Sequence, residues 1–102
     1  MAERMVPNPR HVELKALLAE VAERAREARD AYRPAAEAMG SGKVWTGPTA
    51  RRWRDELEDR HHRLASATRQ VTAAIEAELR RHPELVTESE ADAIRRQRSG
   101  RL

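Results

Sequence analysis

The chain contains no cysteine and no phenylalanine, and its 102 residues hold only three aromatic side chains, Tyr32, Trp45 and Trp53. Without thiols there is neither a disulfide staple nor thiol chemistry. No stretch approaches the ~18 consecutive apolar residues of a membrane span, and no apolar run follows the N-terminal charges. The expectation is a chain with no membrane span and no general secretory signal, so that any export would need a signal carried by the folded protein. Glycine is scarce, and Gly40-Ser41-Gly42-Lys43 lacks the spacing of a phosphate-binding P-loop.

Large apolar side chains are few as well. Hydrophobic residues make up 39% of the chain, but 18 of them are alanine. Alanine favours the helix while adding little buried area, at roughly 25 cal/mol per Å² of apolar surface. Such a chain forms long helices yet builds only a thin core, and its length leaves room for one domain. A small domain of this kind needs a staple or a partner.

Charge of one sign is also missing. The pI is near 10.1, but the net charge is only +3. Residues 1–39 carry seven positive and seven negative side chains, residues 40–81 nine and six, residues 82–102 four and four. Nucleic-acid binding asks for a concentrated basic face, whereas alternating signs mark a solvated helix surface. The clusters Arg51, Arg52, Arg54 and Arg95, Arg96, Arg98 are offset by nearby acids, among them Asp55, Glu56, Glu58 and Asp59. A helix-turn-helix reader would also have shorter helices and a tighter turn. A nucleic-acid partner is therefore the weakest of the readings kept. Arginine outnumbers lysine 18 to 2, which with the alanine content suggests a GC-rich genome.

No catalytic set can be assembled. His61 and His62 are adjacent, and neighbouring helical residues point about 100° apart, so they cannot converge on one ion. His11 and His82 stand at opposite ends of the helical region. The expectation is no enzyme, no metal and no cofactor.

What the chain does have is helical periodicity. Asn8-Pro9 is a helix start, an amide that can cap followed by proline at the first helical position. Leu14, Leu18, Val21, Ala25, Ala28, Tyr32, Ala35 and Met39 then recur at alternating steps of 4 and 3. That is a heptad seam, the signature of helix pairing. Leu17 widens it, and pairs such as Glu20–Arg24 and Arg26–Asp30 decorate the outside. Pro34 removes one backbone donor and predicts a bend, while Gly40 predicts the end of the helix. A second helix is predicted from Pro48 to Arg81, ended by Pro83. Its apolar stripe is Ala50, Trp53, Leu57, Leu64, Ala67, Val71, Ala74, Ile75 and Leu79, thinning at Arg60 and His61. Thr87 with Glu90 forms a capping box for a short third helix whose Ala91 and Ile94 share a face.

The expected fold is therefore all-α: an antiparallel two-helix hairpin with a short C-terminal helix, dimerising into a four-helix bundle. Residues 1–8 are expected as a flexible leader, 9–82 as the hairpin, and 83–102 as the short helix and a basic flexible tail. A two-helix hairpin leaves a wide apolar strip uncovered, so partnership is the physical requirement of the pattern. Leu14, Leu18, Val21, Tyr32, Met39, Trp53, Leu57, Leu64, Val71 and Ile75 are the expected helix-pairing interface.

Between the helices lies Val44-Trp45-Thr46-Gly47, followed by Pro48-Thr49-Ala50-Arg51-Arg52-Trp53. A Trp-x-Gly turn between two heptad-bearing helices of a chain of this length resembles the WXG100 (ESX-type) proteins, and the resemblance spans most of residues 9–82. It implies a homodimer or heterodimer of helical hairpins, exported folded from the cytoplasm by a type VII secretion system whose ATPase would be a further partner. Some members are small partners or adaptors of larger secreted proteins. Trp45 and Gly47 would form the recognition turn, which in the family combines with a C-terminal Tyr-x-x-x-Asp/Glu signal. Here the only tyrosine is Tyr32, followed four positions on by Ala36, so that signal would have to come from a heteromeric partner. A cytosolic coiled-coil-type structural adaptor is the reading that needs no secretion.

Overall fold

The computed structural model describes residues 3–40 and 47–99. Within them the chain runs β1 (Met5–Pro7), α1 (Pro9–Gly40), α2 (Pro48–Arg81), β2 (Leu85–Thr87) and α3 (Glu88–Ser99). The fold is mostly helical, and α1 and α2 form a long helix pair consistent with a hairpin. Trp45 and Thr46 of the expected turn, and the side chain of Met39, lie outside the described residues. Gly47 has φ of 98°, a left-handed conformation open to glycine, and its carbonyl accepts the Arg51 N–H at 3.1 Å as the first bond of α2. Pro34 sits inside α1, which continues through it to Gly40. Two compact units emerge: Met1–Glu20 with Thr72–Leu102, and Val21–Val71.

The first unit holds the two ends of the described chain. Asn8 is 2% exposed and uses all its polar groups. Its Oδ1 accepts the Arg10 N–H at 3.0 Å, which is the helix cap. Its backbone carbonyl accepts the Val12 N–H at 3.0 Å, and its own N–H donates to Glu84 O at 2.8 Å. The side-chain amide donates to Pro83 O at 2.9 Å. One buried residue thus starts α1 and ties it to the segment leaving α2. The strands continue that tie in antiparallel register, Met5 on Thr87, Val6 on Val86 and Pro7 on Leu85. The segment read as a loose leader therefore carries a strand, and the expected tail is helical to Ser99.

A two-stranded ribbon this short does not stand alone in water. Here α3 packs against both strands, with Ala91 fully buried and Val86 4% exposed. Leu14 and Ile75 complete the core. Thr87 Oγ1 accepts the Glu90 N–H at 3.2 Å to cap α3. Ser89 bonds to Glu3, and Arg98 pairs with Glu13.

The second unit contains the rest of α1 and most of α2. Along α1 the seam residues Val21, Ala25, Ala28, Tyr32 and Ala35 are half-buried. On α2 the residues of this unit turned at least partly from solvent are Ala50, Arg54, Leu57, His61, Ala65, Ser66 and Thr68. Tyr32 and His61 stack with ring centroids 3.8 Å apart and planes 6° apart.

Candidate helix-docking face

The α2 stripe separates into two faces. Ala50, Leu57, His61, Ala65 and Thr68 belong to the shielded side, where the His61 ring lies on Tyr32. Beside them, Ala22, Ala25 and Ala28 line a groove of about 280 Å³ with Leu64 and Thr68. Trp53 and Val71 are not among its lining residues, whereas Leu64 belongs both to the groove and to the exposed row. Trp53, Leu64 and Val71, all members of the expected helix-pairing interface, remain 48%, 49% and 46% exposed. The physical reason is the helical repeat. At about 100° per residue, the row 53, 60, 64, 67, 71 is centred about 90° around α2 from the shielded row, with Leu57 and Leu64 at the border between them.

Isolated exposed apolar residues are ordinary on a protein surface. The row in question is instead regular. Trp53, Leu57, Arg60, Leu64, Ala67 and Val71 follow one another at steps of 4, 3, 4, 3 and 4, the spacing of a seam that another helix can enter. Arg60 is its one charged member. Among the described residues Arg60 makes no hydrogen bond or ion pair, and the i,i+4 pair with Glu56 is not formed. One turn away, Asp59 pairs with Arg63 at 4.0 Å.

The remaining expected interface residues distribute between the units. Leu14, Leu18 and Ile75 lie in the first unit, where Leu14 and Ile75 are buried and Leu18 is half-buried. Val21, Tyr32 and Leu57 are half-buried in the second. Leu14 and Ile75 therefore serve the hairpin's own core. Asn8, His61 and Thr68 do packing work that sequence reasoning did not assign to them. Their polarity hid them from a search for apolar spacing, although Asn8 was legible as a cap.

The sequence separates His11 from His82, but the fold joins them: His11 Nδ1–H donates to the His82 carbonyl at 3.1 Å. His82 Nε2 lies 3.4 Å from Glu78. Among the described residues no three His, Asp or Glu side chains converge on a common metal position. No described helix is long and apolar enough to cross a membrane. Arg51 and Arg52 share a shallow surface with Asp55, Glu56 and Asp59. On α3, Arg95 pairs with Asp92 at 3.1 Å. Neither arginine cluster forms a face of one sign.

Comparison with protein-family models, with curated proteins and with solved structures returns no match.

Proposed function

We propose that this chain is a WXG100-like helical hairpin, a substrate or small heteromeric partner of a type VII secretion system that acts by helix–helix association rather than by catalysis. The observation that carries the reading is the half-exposed heptad row on α2. A hairpin that had satisfied its apolar surface internally would not keep Trp53, Leu64 and Val71 at seam spacing and half in water. Docking a second hairpin would cover that row and complete a four-helix bundle. The left-handed Gly47 opening α2 is in keeping with a Trp-x-Gly turn, whose recognition role would fall to Trp45 with Gly47.

The test is export. A tagged chain is expressed in a host with a type VII system and in the same host with the secretion ATPase inactivated, together with its partner gene. The expected result is ATPase-dependent appearance in the medium, strongly reduced by Trp45→Ala while the purified variant keeps its helicity. Retention in the cytoplasm of both hosts would remove the secretion reading.

A second reading, a cytosolic structural adaptor, is favoured by one observation. The stretch after Pro83 contains no tyrosine, and Leu85–Ser99 is spent on β2 and α3. Under this reading the docking row keeps its role and only the destination changes.

A further inference from the structure

We infer that the outward row of α2 takes an amphipathic helix of a different chain, one that places an aspartate or glutamate against Arg60 within an otherwise apolar seam. This deepens the association reading above but does not depend on secretion.

Arg60 is the one charged side chain in the row. Its neighbours in the row, Leu57 before it and Leu64 after it, are both leucine, so an exposed charge interrupts an apolar series. An arginine at such a position can lay its aliphatic stem on a docked apolar surface and keep its charged head at the edge. Among the described residues nothing pairs with it. A helix docking over Leu64 and Val71 would strip water from that head, and an unpaired charge in a desolvated seam is costly. A carboxylate opposite relieves the cost, and its two oxygens match the fork of the guanidinium. Single polar residues at seam positions select partners in this way, at some expense of stability.

A second copy of the chain does not meet the requirement. The row from Trp53 to Val71 contains no acid. Laying one such row on another, parallel or antiparallel, sets Arg60 against an apolar residue or against the other Arg60. Self-association is thereby disfavoured, and the complementary charge has to come from elsewhere. Asp59 is turned off the row and engaged with Arg63, and Glu56, one turn before Arg60 at the row's flank, forms no pair with it.

The test uses the full chain and two synthetic helices about 25 residues long, enough to be helical alone. Both carry leucine at the seam positions, and one has a central glutamate where the other has lysine. Titration calorimetry should show the glutamate peptide binding at least about tenfold more tightly than the lysine peptide. Arg60→Gln should erase the difference while leaving the helicity of the chain unchanged. Light scattering should find the wild-type chain monomeric and Arg60→Leu self-associating. Equal affinities for the two peptides would overturn the proposal. So would a wild-type dimer whose mass Arg60→Leu does not alter, which would assign the face to a second copy. Failure of the secretion reading would appear in the export assay and leave these affinities untouched.

Discussion

The two units are built from the same long helices and end in different states. Among the described residues the first unit buries Asn8, Leu14, Ile75, Val86 and Ala91, whereas the second buries Ala50 alone. The first has a third layer: two strands and α3 close over the helix ends and bury Val86 and Ala91, while Met5, Val12, Leu17 and Leu85 stay about half exposed. Among the described residues the second has two helices only. Its α1 face is largely alanine, at 22, 25 and 28, and two helices cannot surround each other. Arg54 adds to the imbalance, because its Nε is buried with no hydrogen-bond partner among the described residues. Where other elements cover a helix pair's flanks it builds a buried core, and where they do not its apolar row stays half in water.

The largest effect should come from removing the tie that defines the first unit. Asn8→Ala deletes the α1 cap and the bond to Pro83 O, leaving a carbonyl in a shielded site. The expected loss is about 2–4 kcal/mol, combining a capping term of about 1 with an unsatisfied group. Urea unfolding followed by circular dichroism measures it. Ala91→Leu attacks the same unit by overfilling: a fully buried alanine between α3 and the strands has no room for three more carbons. We expect destabilisation of about 1–3 kcal/mol in the same assay. Thr87→Ala removes only the α3 cap, with an expected cost of about 1 kcal/mol. Leu64→Glu, in the second unit, should change the stability of the isolated chain by less than about 0.5 kcal/mol, because Leu64 is half in water. It should nevertheless abolish binding of the helical peptides. A stability loss there as large as that of Asn8→Ala would erase the distinction between the units.

Much of this contrast was written in the amino-acid order. Proline and glycine punctuation marks the helix ends: Pro9, Gly40, Pro48 and Arg81 before Pro83 bound α1 and α2. The α1 seam was legible because Leu14, Leu18 and Val21 lead straight into Ala25, Ala28, Tyr32 and Ala35, every one at least half-buried. On α2 the reading blurred. The shielded row contains His61 and Thr68, which a search for apolar spacing passes over, and Leu57 belongs to both rows. Apolar spacing alone therefore joins the two rows into one stripe that includes Trp53. The strands were not legible at all. Three residues give no alternation to detect, and Val6 meets Val86 only because Asn8 has joined helix starts and ends far apart in sequence.

Amide hydrogen exchange on the isolated chain tests most directly whether the first unit, with its buried core, is held more firmly than the second, which we propose awaits a partner. In a sample shown monomeric by light scattering, amides of residues 86, 91 and 94 should be among the most protected, while those of residues 57–68 exchange markedly faster. Adding the glutamate-bearing helix should slow exchange across residues 57–68 and leave the others as they were. Equal protection of both regions in the monomer would contradict the account, since the second unit would then need nothing further.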